Sequence, residues 1–225
     1  VFIKEVTPDD ALINAGEYFN GRFYAFTSTW YSEPRQFLVM DTLTWTPIKS
    51  AKTEDFMQDM AYDYASKEMY GIRVNGGESE LVTINLENGE ITSVASTGMN
   101  FHALACSKEG KLYGMSDDGK LYAIDKTTAQ PDIIAGTGIS DVAYLQSMAF
   151  DHNTGRLFWS HTGSQILGDL YEIDPKTAKV ISLGSATYND SPLEVVGLYS
   201  VYTHPTPPDN IEELKANDLK VYTDA

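Results

Sequence analysis

The sequence of 225 residues contains a single cysteine, Cys106. An intramolecular disulfide is therefore excluded, and so is a zinc site built on several cysteine thiolates. Leu104 and Ala105 precede Cys106 in an apolar run, so we predict a buried thiol without a nucleophilic role.

Long apolar runs and basic residues are also scarce. No run approaches the roughly 20 apolar residues that a membrane-spanning helix needs, so we expect no membrane insertion. Only 16 Lys and Arg stand against 32 Asp and Glu, which gives a formal charge of −16. Because such a charge repels phosphate backbones, we expect no nucleic-acid partner.

Recognisable catalytic motifs are missing as well. The sequence has no G-x-S-x-G elbow, no phosphate-binding glycine loop and no H-E-x-x-H pair, and it has only four histidines. The missing motifs therefore favour a protein that is not an enzyme, while a hydrolase stays open as an alternative, and we expect no cofactor.

The sequence does contain a repeat with a period of about 44 residues. One segment occurs three times at this spacing: Met57–Asp63, Phe101–Ser107 and Leu145–Asp151. A turn and a strand with a large apolar or aromatic pair come after each copy, and a third strand ends in Asp or Asn. With a weaker fourth strand, this pattern predicts an all-β propeller of four-stranded antiparallel blades, in which Ala61, Ala105 and Ala149 occupy equivalent positions.

The third strands also carry a family resemblance. The pattern Leu-Tyr-x-Ile-Asp-x-x-Thr covers Leu121–Thr128 and Leu170–Thr177, and Ala129 and Ala178 come next, where related repeats have Gly. The chain thereby resembles bacterial β-propeller repeat proteins of the broad quinoprotein-like and NHL-like kind. The resemblance implies an architecture and no particular family, and it implies no quinone cofactor.

Closure of the ring is the open question of the sequence. Four units are complete, and a fifth inner strand is predicted at Leu193–Tyr202 before the Pro-rich stretch begins. We expect a propeller domain at residues 1–204, and after it at 205–225 a Pro-rich exit, a short helix at Ile211–Ala216 and a terminal strand. Either Phe2–Val6 and Asp218–Thr223 close a five-bladed ring, or the chain is a fragment of a larger propeller whose last residues lead to another domain.

Candidate binding residues are predicted from the propeller geometry. The entrances of the inner strands and the loops between second and third strands share one face, where ligands bind. The inner-strand entrances carry Gln58, His102, Gln146 and Glu194, with Asp59 next to them. The loops carry Trp30, Tyr31, Arg35 and His161.

Three functional hypotheses remain open. The first is a recognition domain of an exported, periplasmic or cell-surface bacterial protein, which binds a glycan or a protein through Trp30, Tyr31 and the loop face. The second is a metal-dependent hydrolase or lactonase with Asp59, His102 and Glu194 at the channel mouth, although no metal-ligand motif is recognised. The third is a structural spacer without a ligand.

Overall fold

The computed structural model describes residues 12–28, 35–164, 168–193 and 195–202, and this part of the chain folds into four antiparallel sheets of four strands, arranged as propeller blades. Blade 1 consists of β1 (Leu12–Phe19), β2 (Arg22–Ser28), β3 (Arg35–Asp41) and β4 (Thr46–Thr53). Blade 2 consists of β5 (Met57–Asp63), β6 (Glu68–Asn75), β7 (Glu78–Ile84) and β8 (Ile91–Ser96). Blade 3 consists of β9 (Phe101–Cys106), β10 (Leu112–Ser116), β11 (Lys120–Ile124) and β12 (Pro131–Gly136). Blade 4 consists of β13 (Ser147–Asp151), β14 (Arg156–His161), β15 (Asp169–Ile173) and β16 (Val180–Ser185).

The described residues contain no helix, and therefore none long and apolar enough to cross a membrane. A short hairpin of β17 (Thr187–Tyr188) and β18 (Ser191–Pro192) comes after blade 4. The predicted helix at Ile211–Ala216 and the predicted strands at Phe2–Val6 and Asp218–Thr223 lie outside the described residues.

The predicted equivalence of the three alanines is confirmed by the strand register. Each alanine of the inner strand stands directly opposite an aromatic residue of the second strand, in the pairs Ala61–Tyr70, Ala105–Tyr113 and Ala149–Phe158. A small residue beside a large one lets neighbouring blades pack closely around the axis. In blade 1 the same position holds Glu17, opposite Tyr24.

The turns after the third strands explain the alanine that replaces Gly in the repeat pattern. Asp125 accepts hydrogen bonds from the backbone N–H groups of Thr127 and Thr128, both at 2.8 Å. The turn ends at Ala129 with φ of +58°, and Ala178 repeats this geometry with +56°. Since the left-handed conformation costs a residue with a Cβ about 1–2 kcal/mol, Gly is the residue that this position favours.

Apolar clusters fill the three interfaces between consecutive blades. The cluster between blades 3 and 4 includes Trp159, which is completely buried, and Met115 and Met148. The cluster between blades 2 and 3 includes Cys106, whose exposed fraction is 3%. Burial raises the pKa of the Cys106 thiol, so the thiol is held protonated.

Residues 195–202 connect blade 4 back to blade 1. Ser160 donates a hydrogen bond to the carbonyl of Val195 at 2.7 Å, which attaches the segment to blade 4. On the other side, the ring of Tyr199 stacks on Tyr18 with centroids 5.6 Å apart and packs against Phe23 at 5.3 Å. The segment thus lies where an inner strand of a fifth blade is predicted, although it has no strand pairing of its own.

The outer part of blade 4 is less covered than the same part of blades 2 and 3. Val94 of β8 and Ile134 of β12 are half-buried against the next blade. Leu183 holds the equivalent position of β16, but 46% of it is exposed. The segment at 195–202 therefore covers the inner strands of blade 4 and leaves its outer strand open.

Candidate functional site

The side chain of Asp59 joins three blades near the propeller axis. Asp59 is completely buried, and its Oδ2 accepts hydrogen bonds from the backbone N–H groups of Leu104 at 2.8 Å and Met148 at 3.1 Å. Its Oδ1 accepts from the Ser147 hydroxyl at 3.0 Å and from the Met60 N–H at 2.9 Å. Inner strands have one free edge that faces the channel, and Asp59 satisfies donors on that edge from blades 2, 3 and 4.

A second carboxylate lies further along the same axis. Glu17 accepts hydrogen bonds from the N–H groups of Tyr18 at 2.7 Å and Tyr62 at 3.3 Å, and so joins blades 1 and 2. Burial raises the pKa of both Glu17 and Asp59 to about 8, and the charge of Asp59 adds to the rise at Glu17. These two acids therefore act as internal acceptors that hold the inner strands together.

The hydrogen bonds of Asp59 argue against the hypothesis that it binds a metal ion. Both oxygens of Asp59 already accept hydrogen bonds from protein donors. Among the described residues, no group of three or more His, Cys, Asp or Glu side chains could hold a metal ion. Glu194, the third predicted ligand, lies outside the described residues. The arrangement around Asp59 is thus that of a structural centre.

Three of the predicted polar residues of the channel mouth are buried, and two of them contact Tyr144. The exposed fraction is 2% for Gln58, 6% for His102 and 0% for Gln146. Gln58 donates a hydrogen bond to the carbonyl of Tyr144, and the ring of His102 packs edge-on against the Tyr144 ring with centroids 5.0 Å apart. Gln146 accepts a hydrogen bond from the Trp159 indole at 2.7 Å. The structure therefore brings Gln58 and His102 together against one residue, Tyr144.

Two buried polar atoms of this mouth have no hydrogen-bond partner within the described part of the chain: Oε1 of Gln58 and Nδ1 of His102. Burial lowers the pKa of His102, which keeps its imidazole neutral and one ring nitrogen free to accept. Tyr144, the residue above them, is 68% exposed.

The other predicted binding residues lie beneath the loop face, at the start of β3 or outside the described residues. His161 is 1% exposed and is hydrogen-bonded through Nε2 to the carbonyl of Asp141 at 2.6 Å, so it lies beneath the loop face. Trp30 and Tyr31 belong to the loop 29–34, which lies outside the described residues. Arg35 is half-buried at the start of β3.

Arg35 lines a cleft of about 540 Å³ on the loop face, between blades 1 and 2. The residues that line the cleft are Asn14, Ser28, Arg35, Phe56, Val74, Tyr144 and Leu145. Ser28 and Arg35 are the two ends of the loop that contains Trp30 and Tyr31. We call this site the blade 1–2 cleft.

Sequence reasoning missed most of the walls of the blade 1–2 cleft. Phe56 directly precedes the inner strand β5, and Tyr144 and Leu145 precede β13 by a few residues. An apolar residue just before an inner strand is a signal that could have identified Phe56 and Leu145. The part played by Tyr144 depends on the path of the segment between blades 3 and 4, which crosses the channel mouth.

Arg35 is the cation of the blade 1–2 cleft. Its Nη1 donates a hydrogen bond to the carbonyl of Glu54 at 2.5 Å, and its guanidinium lies over the Phe56 ring, 5.5 Å from the centroid. No carboxylate lies within ion-pair distance of Arg35 among the described residues. On blade 2, by contrast, Arg73 is paired with Asp55 at 2.6 Å and with Glu80.

Comparison with known proteins supports the architecture. No family model and no curated protein matches the sequence. A chain of the nidogen–laminin complex is similar with a TM-score of 0.59 and 12% identity, over 85% of this chain and 70% of that one. A protein of unknown function from Bacteroides thetaiotaomicron has a TM-score of 0.55 and 12% identity, and TolB from Acinetobacter baumannii has 0.52 and 15%.

The present chain spans less than half of two of these structures. It covers 42% of the Bacteroides protein and 45% of TolB, while 76% and 80% of the present chain are matched. At such identities the likeness shows the propeller fold alone.

Proposed function

We propose that this chain is a non-enzymatic recognition domain that binds a protein or a carbohydrate in the blade 1–2 cleft. The observation that carries the proposal is the cleft itself, which combines apolar walls with one fixed guanidinium on the face that bears the loops. Concave sites with apolar walls and a few oriented polar groups are typical of ligand binding. Trp30 and Tyr31 are proposed to extend this site, because their loop begins and ends at the cleft.

The chemistry of the axis supports binding over catalysis. A general acid or base must reach the substrate, but Asp59 is fully buried and its oxygens are occupied by protein donors. His161 and Gln146 are likewise buried and hydrogen-bonded. Of the candidate residues that the structure describes, Arg35 in the cleft is the one with both partial exposure and a place on a concave surface.

The nidogen–laminin complex supports a protein ligand by analogy, since it contains a chain of similar fold in a protein assembly. We also propose that the domain is exported or displayed at the bacterial surface, as its repeat resemblance implies. Fractionation of the native cells, with detection by an antibody, checks this location.

A binding screen tests the proposed function. The purified domain is applied to a peptide array and to a glycan array, and each ligand found is titrated against variants. We expect Tyr144→Ala to weaken binding at least tenfold, because Tyr144 is 68% exposed and forms a cleft wall, while its backbone carbonyl can still accept from Gln58.

Tyr188→Ala is the matched control, because Tyr188 is also an exposed tyrosine but lies on the β17–β18 hairpin and does not line the cleft. A Trp30→Ala/Tyr31→Ala double variant tests the loop. Ligands whose affinity is unchanged by Tyr144→Ala and by the double variant contradict the proposed site, and two blank arrays favour the spacer hypothesis.

A further inference from the structure

We infer that the natural ligand of the blade 1–2 cleft is a protein segment that carries a carboxylate next to an apolar side chain. This inference rests on the proposed function and deepens it. It decides between protein and carbohydrate from the polar groups that the cleft leaves available.

No carboxylate neutralises Arg35 within the part of the chain that the structure describes, so its charge is open to a ligand there. A guanidinium has five N–H donors in a planar fork, and Arg35 uses one described donor, on the Glu54 carbonyl. The Phe56 ring beneath it holds the group in place without consuming further donors. Of the four described arginines, Arg22 and Arg156 are exposed and Arg73 is paired with two acids. Of these four, Arg35 is the half-buried one that has no carboxylate partner among the described residues.

The absence of a carboxylate partner for Arg35 among the described residues is informative in this particular chain. Acidic residues outnumber basic ones two to one, and Asp55, two residues before Met57, pairs with Arg73. Glu54 is exposed and contributes its carbonyl to Arg35, while no ion pair joins its carboxylate to any described cation. The cleft is therefore a place where positive charge remains available on an otherwise strongly acidic molecule.

The anion that suits Arg35 is a carboxylate. A planar guanidinium pairs with a carboxylate through two parallel hydrogen bonds. A phosphate group carries about two negative charges and meets stronger repulsion from a molecule of formal charge −16. A single carboxylate is therefore the anion that this cleft favours.

The other walls of the cleft offer few polar partners. A sugar presents several hydroxyl groups and needs several such partners, but the Asn14 amide is already used at both ends. Its Nδ2 donates to the Met57 carbonyl at 2.8 Å, and its Oδ1 accepts from the Ser28 hydroxyl at 3.3 Å. The remaining walls, formed by Phe56, Val74, Tyr144 and Leu145, are apolar or aromatic. Such walls match a Leu, Phe or Tyr side chain beside the carboxylate better than a hydroxyl-rich ring.

The volume of the cleft agrees with this assignment. A cleft of about 540 Å³ is large enough for two or three amino-acid residues and too small for a folded partner domain. The carboxylate is supplied by an Asp or Glu side chain or by a free C-terminus, and these two sources share the same chemistry.

The test uses octapeptides of random sequence on an array, each printed in three forms: free C-terminus, C-terminal amide, and amide with every Asp and Glu replaced by Asn and Gln. We expect bound peptides to contain an acidic group next to Leu, Phe or Tyr, and to lose at least tenfold in affinity when the acid is removed. Loss in the second form identifies the C-terminal carboxylate, and loss only in the third identifies a side chain.

Variants of Arg35 connect this preference to the cleft. We expect Arg35→Gln to weaken acidic peptides at least tenfold and to leave the binding of matched neutral peptides within twofold. Arg35→Lys is expected to restore part of the affinity, since the charge returns without the planar fork. Arg156→Gln is the control, because Arg156 is exposed, paired with Glu172 and located on blade 4, away from the cleft.

The outcomes separate the inference from the proposed function. Acidic peptides whose binding depends on Tyr144 but is unchanged by Arg35→Gln, or by removal of their acid, overturn the inference and leave the binding site in place. Binding of uronic-acid or neutral glycans with no bound peptide overturns it in favour of carbohydrate. Acidic peptides that bind the Tyr144→Ala and Arg35→Gln variants as tightly as the parent domain overturn both the inference and the proposed binding site. Thermal unfolding of each variant confirms that a loss of binding does not reflect a loss of fold.

Discussion

At the scale of single residues, Asp59 is a polar side chain buried in an apolar strand, and its hydrogen bonds hold three blades together. A carboxylate in the middle of an apolar strand loses its hydration when the chain folds, which is costly unless donors replace the water. Asp59 finds four donors, of which three belong to blades 3 and 4. Its hydrogen bonds are therefore mainly contacts between blades rather than within one.

Replacement of Asp59 by Ala tests this role. We expect Asp59→Ala to lower the free energy of unfolding by about 3 kcal/mol or more, because it leaves buried N–H groups of Leu104 and Met148 without acceptors. Urea unfolding monitored by tryptophan fluorescence measures the change. Asp174→Ala, at an exposed turn, is the control and is expected to cost about 1 kcal/mol. Equal losses in the two variants would contradict the role of Asp59.

The two axial acids also predict a pH dependence of stability. In an unfolded chain Asp and Glu release their protons at about pH 4, whereas burial holds those of Asp59 and Glu17 until about pH 8. Between these values the folded state binds more protons than the unfolded state. The free energy of unfolding is therefore expected to fall as the pH rises from 5 to 8, by at most about 1.4 kcal/mol per pH unit for each acid.

Urea unfolding at pH 5, 6.5 and 8 checks the direction of this change. Asp59→Asn and Glu17→Gln each remove one titrating group, so each variant is expected to show a flatter profile than the parent chain. A parent profile that rises over this range, or variants with unchanged slopes, would show that the axial acids are ionised in the folded protein.

At the scale of elements, the contribution of a blade's outer strand to stability depends on the neighbouring segment that covers it. β8 and β12 each have a further blade beyond them, so Val94 and Ile134 pack into the clusters between blades. Among the described residues, β16 has the segment 195–202 and no complete blade beyond it, so Leu183 remains 46% exposed. Apolar burial, and not the strand sequence, sets the energetic value of each position.

We therefore predict unequal effects of equivalent substitutions. Ile134→Ala is expected to lower the free energy of unfolding by about 1–3 kcal/mol, because it removes partly buried methyl groups. Leu183→Ala is expected to cost under about 0.5 kcal/mol, since its side chain is near half exposed. Denaturant unfolding of both variants gives the comparison, and a larger loss at Leu183 would mean that another part of the protein covers blade 4.

At the scale of the whole molecule, the ring depends on the segment 195–202. The segment is tied to blade 4 by hydrogen bonds of Ser147 and Ser160 and to blade 1 by the Tyr199 ring. Apart from the hydrogen bonds of Asp59 that join blade 2 to blade 4, the large apolar contacts lie between neighbouring blades, as in other repeat proteins. A contact that joins the last blade to the first makes the unfolding of the ring cooperative.

Tyr199→Ala tests this closure. We expect the variant to lose about 2–4 kcal/mol of unfolding free energy, because the ring of Tyr199 covers Phe23 and stacks on Tyr18. We also expect a broader thermal transition, since blade 1 can then open before blade 4. Calorimetry measures both effects. Tyr199→Phe retains the stacking and is expected to behave like the parent chain.

The sequence by itself determined the architecture and its period. Alternation of apolar residues, glycines at turns and the 44-residue spacing are local features, and they specified four blades and the equivalence of Ala61, Ala105 and Ala149. The burial of Cys106 and the entrance positions of Gln58 and His102 were contained in the same pattern.

Only the tertiary structure decided how these positions are used. The sequence shows Asp59 and His161 as polar residues near a predicted face, whereas the fold surrounds them with donors, carbonyls and rings from distant segments. Tyr144 became a wall of the cleft because the link between blades 3 and 4 crosses the channel mouth. Hydrogen bonds between residues 86 to 89 positions apart depend on the closure of the ring, and no local pattern contains them.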